Sequence, residues 1–449
     1  MTKLWEKGYE LNREIECFTV GEDYLLDQAL VKADAIGTLA HAKTLEQAGI
    51  LNSYEVESLK KVLLKILKED ITITPEEEDV HTAIENYLTK ELGELGKNIH
   101  TARSRNDQIL IDLRLYSKER LFEVEETLLE SCRKLYSLAQ RHRDIPMPGR
   151  THFRVAMPSS VGLWAGAFLE SLLDDLILLE SAYSLNNQSP LGSAAGYGVS
   201  LNIDRKFTAG LLGFAKVQNN VLYASNSRGK IEAVILSALS QVMIDLSKLA
   251  TDLIIFTAPE FGYFELPKEL CPGSSIMPQK YNPAALEILR AKTNVVISYL
   301  FEVLNIISSL PSGYNQDFQE TKGPLMRGFE ITLASLKVAG LVISNLKVNE
   351  ESLLRGFSDD IFAADEALRL VRQGMTFRDA YQEVAKHLER LEASDPKENI
   401  LSKTHLGAPG NLGLEVTKER MDEAASKLKK QKEVYLNAIS SLLGAPYEI

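Results

Sequence analysis

Cysteine is scarce in this 449-residue chain: Cys17, Cys132 and Cys271 are odd in number and far apart. Such spacing indicates neither a disulfide framework nor a zinc motif, and it suits a reducing compartment. Positive charge is also in short supply. Lys and Arg number 50 against 62 Asp and Glu, a formal net charge of −12, so a broad nucleic-acid-binding face is not expected. An anionic small molecule would have to be captured by local Arg and Lys rather than by the overall field. No apolar run reaches membrane-spanning length without interruption. The opening Met-Thr-Lys-Leu-Trp-Glu-Lys lacks the apolar core of a signal peptide. Internal repeats and low-complexity tracts are missing, and no run alternates convincingly in the manner of a strand. These absences predict a cytoplasmic enzyme acting on a small molecule, with neither nucleic acid nor membrane as partner.

What remains is helical periodicity. Ile235, Leu239, Val242, Leu246, Leu249, Leu253 and Phe256 form an apolar seam of the kind that long bundle helices present. Leu121, Val124, Leu128, Leu135 and Leu138 place a second seam on a helix from about 107 to 140. Further long helices are expected over 158–186, 284–309 and 325–346. Shorter ones are expected over 22–48, 53–68 and 78–92, and later around Asp359–Arg372, Thr376–Leu391 and Val416–Leu443. The pattern predicts an all-α chain built on a central helical bundle. Packing within one chain accounts for much of each seam. Helices this long nevertheless carry more apolar surface than one chain readily covers, which favours an oligomer.

Several polar strings break the apolar rhythm. Residues 273–283 read Gly-Ser-Ser-Ile-Met-Pro-Gln-Lys-Tyr-Asn-Pro between two apolar helical runs. A loop on a rigid scaffold is mobile enough to close over a substrate and polar enough for chemistry. Ser274 or Ser275 can supply an oxygen for proton transfer, Lys280 a fixed charge and Asn282 directed amide hydrogen bonds. Gly-Ser-Ser by itself is ordinary turn composition. Residues 100–108 read His-Thr-Ala-Arg-Ser-Arg-Asn-Asp-Gln and open the long helix at about 107. Ser104 and Asp107 suit a capping box, while Arg103, Arg105 and Asn106 at a helix start add a ready carboxylate site. Residues 149–154, Gly-Arg-Thr-His-Phe-Arg, put His152 in a connector. The small residues of 190–205 suit close backbone approach. Residues 314–322, Tyr-Asn-Gln-Asp-Phe-Gln-Glu-Thr-Lys, precede a helix. The acidic run Glu76–Asp79 reads as a cap for the helix near Val80. His81 and Glu85, four apart, could bind a metal in principle, but the sequence shows no third ligand and no metal is expected.

The string at 273–283 resembles the signature loop of the fumarase/aspartase superfamily, and its Met-Pro-Gln-Lys is similar to the argininosuccinate lyase branch. Ser104-Arg105-Asn106-Asp107-Gln108, Thr151-His152 and Pro190-Leu191-Gly192-Ser193 are similar to the same branch. Ala102, Arg150, Arg154, Tyr281 and Gln316 depart from it; glycine is usual at 102, lysine at 281 and arginine at 316. The resemblance is nearly continuous to about residue 350 and weakens beyond. Its weakest stretch is Phe18–Asp27, where the family carries a substrate-binding serine and this chain has Val20-Gly21-Glu22-Asp23.

The resemblance implies an all-α, three-domain fumarase/aspartase-like fold: an N-terminal helical domain 1–102, a central bundle 103–354 and a small C-terminal helical domain 355–449. It implies reversible β-elimination of argininosuccinate to L-arginine and fumarate, with no cofactor. Ser274 is then the candidate base and His152 the donor to the departing guanidinium nitrogen. Lys280 stabilises developing charge, and Glu287 pairs with His152. Substrate contacts are implied for Ser104, Arg105, Asn106, Thr151, Asn282, Tyr314, Gln319 and Lys322. Because these strings sit at different ends of long helices, the implied assembly is a homotetramer whose sites each draw on three subunits. Two other readings follow from the same resemblance. One is a lyase for another succinyl adduct such as adenylosuccinate. The other is a non-catalytic, crystallin-like structural protein, against which intact His152, Ser274 and Lys280 weigh.

Overall fold

The computed structural model describes residues 11–69, 71–391 and 394–449; the opening heptapeptide considered above lies outside the described residues. Five long helices form the centre: α1 Arg105–Arg141, α2 Val161–Asn186, α3 Lys230–Phe256, α4 Ala284–Ile307 and α5 Lys322–Asn345. Every member of the α3 seam is buried, as are the four leucines and the valine of the α1 seam. Ser104 starts α1 sharply. Its hydroxyl accepts from the Asn106 N–H, and the Asp107 carboxylate returns to the Ser104 N–H, completing the capping box.

Close contacts set the helix directions. Gly229, with φ +75°, stands at the start of α3 against Ile307, the last residue of α4; a Cβ there would lie 2.3 Å from Ile307 Cγ2. Only glycine fits both the angle and the gap. Gly162 in α2 similarly meets Arg143 just beyond α1. At the opposite end, Phe264–Glu265 pairs with Lys347–Val348, tying the exits of α3 and α5 together. The starts of α1, α3 and α5 therefore gather at one end of the bundle and the starts of α2 and α4 at the other. α4, 24 residues long, separates the two ends by roughly 36 Å at ~1.5 Å per residue.

Two expectations need correction. Among the described residues there are three two-stranded sheets, where no strand was expected. The largest is the hairpin β1 Pro146–Thr151 with β2 Arg154–Ser160, so α2 begins at Val161 rather than at Pro158. Three prolines and a register shift between Pro148 and Arg150 explain why it shows no clean alternation. Second, α3 is long and apolar enough to cross a bilayer by length and composition, with a mean hydropathy of 1.5 in its most apolar window. Of that window 61% is buried, so bundle packing accounts for its composition.

The helices Val31–Gln47, Ser53–Ile66 and Val80–Leu92 pack beside the start of α1. The long helix Leu414–Leu443 lies along α1 and α2, where Tyr435 Oη donates to Glu119 at 2.7 Å and Lys432 to Glu126 at 2.7 Å. Ala367, Ala380 and Val384 form a small separate core in the preceding segment.

Candidate active site

A cavity of about 410 Å³ opens where α1, α3 and α5 start, lined by Arg105, Asn106, Tyr314, Gln319 and Lys322 among others. Lys322 is 1% exposed, and its Nζ lies between Asp27 and Asp23, 2.6 Å from Asp23 Oδ1. Burial alone would lower the Lys322 pKa; Asp27 and Asp23 outweigh it and hold it above its ordinary value. Asp27 is anchored by the Val80 N–H at 3.1 Å. Asp23 moves differently: burial pushes its carboxyl up to about 6, against the pull of Lys322.

Neighbouring groups at this end are also held. Arg105 donates to Asp79 at 2.6 Å and to Glu78 at 3.4 Å. Asp79 accepts from the Thr82 N–H at 2.8 Å, so the acidic run caps its helix and clamps Arg105 as well. Asp107 Oδ2 accepts from the backbone N–H groups of Gly192 and Ala194 at 3.0 and 2.9 Å. That approach explains the small residues of 190–205. Gln319 donates to the Thr19 and Val20 carbonyls, and Tyr314 Oη lies 3.4 Å from Gln316. Arg103 is buried and donates to Thr38 at 2.8 Å, away from the carboxylate role its position suggested. Ser104 serves as the α1 cap and does not line the cavity.

The remaining expected residues lie at the other end. His152 and Phe153, with φ of 53° and 60°, form the two-residue turn between the paired Thr151 and Arg154. Non-glycine residues adopt that conformation at a cost of about 1 kcal/mol each. Arg150 props the hairpin: its guanidinium lies 4.9 Å over the Phe261 ring and donates to Tyr263 Oη at 3.0 Å. Thr151 and His152 are exposed. The 273–283 loop is closed by a bridge between Gly273 and Tyr281 and by the Asn282 N–H donating to the Pro272 carbonyl at 2.9 Å. Ser274 Oγ accepts from the Met277 N–H at 3.2 Å, a contact that favours the alkoxide. Asn282 is half-buried, while Lys280 and Glu287 are exposed. Among the described residues, no hydrogen bond or ion pair joins His152 to Glu287, or any of these groups to the cavity.

Two cavity residues escaped the sequence reading. Asp23 was noted only as an occupant of the missing serine's region. Arg228, 3% exposed, lines the cavity just before α3, and its side chain has no hydrogen bond or ion pair among the described residues. A lone arginine before the glycine that starts a helix was the signal available. His81 also reaches the cavity. Its sequence partner Glu85 instead faces His100 at 3.4 Å, while Asp34 and Asp112 stand 2.5 and 3.5 Å from His81 Nδ1. The shorter distance is that of a hydrogen bond and leaves no room for an ion between those atoms. Burial would lower the His81 pKa, but Asp34 reverses this and raises it.

The lyase family matches residues 17–298. The argininosuccinate lyase of Thermotoga neapolitana is 43% identical over 392 residues, covering 86% of this chain and 98% of that protein. Among solved structures, EDDS lyase in complex with formate aligns with a TM-score of 0.82 at 21% identity, over 98% of this chain and 95% of that one. The class II fumarase of Schistosoma mansoni aligns with a TM-score of 0.71 at 17% identity, over 88% and 96%. At these identities the two structures establish the fold, which is the all-α architecture expected.

Proposed function

This chain belongs to the argininosuccinate lyase family, and from that premise we propose that it cleaves argininosuccinate reversibly to L-arginine and fumarate. The observation that carries this reading is 43% identity across nearly the whole of the Thermotoga relative. The chain is a carbon–nitrogen lyase that releases fumarate.

The difficult step is removal of a proton from the carbon beside a carboxylate, which builds a second negative charge on that group. Ser274 is assigned as base, with the Met277 amide and Lys280 favouring its alkoxide. Lys280 and Asn282 stabilise the developing aci-carboxylate, an effect worth about 10²–10³ in rate per donor. As the C–N bond breaks, its electron pair leaves with the guanidinium nitrogen, which His152 protonates. Glu287 orients His152. Thr151 and Asn282 contact the succinyl half, and Asn106, Tyr314, Gln319 and Lys322 the arginine half, with Ser104 and Arg105 shaping the helix start between them.

For these residues to meet, the working form is a homotetramer in which the cavity end of one chain receives the loop and hairpin of others. Two observations support it: the roughly 36 Å that α4 puts between the ends, and exposed Ile288, Phe301 and Leu304 along α4 itself. The division into 1–102, 103–354 and 355–449 is part of the same proposal, supported by the separate core at Ala367, Ala380 and Val384. A cytoplasmic setting is supported by three free cysteines.

The test is fumarate release from argininosuccinate and adenylosuccinate offered in parallel, with Ser274→Ala as control. Cleavage of argininosuccinate alone, abolished by the substitution, is expected. Cleavage of adenylosuccinate instead would overturn the branch assignment.

A further inference from the structure

We propose that Arg228 and Asp23 together recognise the amino-acid end of the substrate, Arg228 taking its α-carboxylate and Asp23 its α-ammonium group. The inference rests on the lyase reading and assigns roles to two residues outside the set carried over by family resemblance.

One cation at the cavity is left unpaired. Of the cations lining the cavity, Arg105 is occupied by Asp79 and Glu78, and Lys322 by Asp23 and Asp27. Arg228 alone among these three has no acceptor among the described residues, although it is 3% exposed. Its Nε is buried with no partner. A buried guanidinium is costly to leave unmatched, and its planar fork suits a carboxylate. The bound substrate therefore completes a site that the chain leaves open.

Charge balance then decides which end of the substrate enters. Asp23, Asp27, Glu78 and Asp79 face the cavity with Arg105, Arg228 and Lys322. Four carboxylates against three fixed cations, with His81 beside them, would repel the dicarboxylate of a succinyl group. A zwitterion adds no net charge and offers one group of each sign. The succinyl half, moreover, needs the reacting groups, which in the proposed tetramer other copies bring to the mouth of this cavity. Asp23 is the less tightly held of the two acids on Lys322: Asp27 is 0% exposed and also tied to the Val80 N–H, whereas the Asp23 side chain is 15% exposed on the cavity wall. The Arg228 charge acts on both Asp23 and Lys322, so the three groups lie within electrostatic reach of one another. A chain with serine in place of Asp23 could offer the ammonium group only a neutral acceptor.

The experiment measures binding of L-arginine to the purified enzyme by calorimetry, against agmatine, which lacks the carboxylate, and 5-guanidinopentanoate, which lacks the ammonium group. Arginine is expected to bind at least about 10-fold more tightly than either analogue. Arg228→Met should weaken arginine by about 10- to 100-fold and remove its advantage over agmatine. Asp23→Asn should remove the advantage over 5-guanidinopentanoate while keeping that over agmatine. Equal binding of the three ligands by the unaltered enzyme would overturn the proposal, and so would variants that keep both preferences. If Arg228→Met fails to fold, the analogue comparison on the unaltered enzyme still decides the matter. An enzyme that binds arginine with these preferences yet releases no fumarate from argininosuccinate would refute the lyase reading and not this one.

Discussion

The two ends of the bundle are built on opposite physical plans. At the cavity end, charges are buried and mostly neutralised within the chain: Lys322 between Asp23 and Asp27, Arg105 on Asp79, His81 on Asp34. At the loop end, Thr151, His152, Lys280 and Glu287 are exposed and make no side-chain contacts to one another. A buried ion pair keeps its geometry without help, whereas exposed groups gain catalytic strength only once water is excluded around them. On the proposed reading the cavity end binds and the loop end reacts when something covers it. The covering surface, on this account, is another copy of the chain.

Substitutions can break this contrast. Lys322→Met leaves Asp23 and Asp27 buried without their cation and should lower stability by about 3–5 kcal/mol, read by denaturant unfolding. Lys280→Met at the loop end should lower kcat by about 10²–10³ with an unchanged unfolding midpoint. Equal stability losses in the two variants would erase the distinction between the ends.

Acidity sharpens the comparison further. The folded pKa of Asp23 is raised from 3.8 to about 6, chiefly by burial. Between about pH 4 and 6 the folded state therefore binds more protons than the unfolded state, and stability falls as pH rises through that window. Asp27, Lys322 and Arg228 face the same carboxyl, so the Asp23→Asn variant is the control. Its unfolding free energy should fall less over that range than that of the unaltered chain. The smallest effect is expected at Ala102, whose φ is +61° just before the α1 cap. Ala102→Gly should stabilise by about 0.5–1 kcal/mol, because the left-handed conformation disfavours a Cβ.

Much of this molecule was legible before its structure. The seams on α1 and α3 located the bundle because a 3.6-residue period survives any tertiary context that buries one face. The polar strings marked the two ends of the bundle on which the proposed site draws. Ser104 and Asp107 announced their capping box because its partners are neighbours in sequence. What was missed depends on distant pairing. The Lys322–Asp23–Asp27 cluster joins distant segments of the chain, and no local pattern marks it. Arg228 gains meaning only because its surroundings leave it without an acceptor. The hairpin at His152 was hidden by prolines and a register shift, and so was the role of Arg150 as its prop.

Two inactive chains, His152→Asn and Ser274→Ala, can be mixed into verified hybrid tetramers and fumarate release from argininosuccinate measured. If hairpin and loop reach each site from different copies, random pairing restores up to about a quarter of the unaltered turnover. Hybrids as inactive as their parents would show that both residues serve a site within one chain, and the division of labour between the two ends would be wrong.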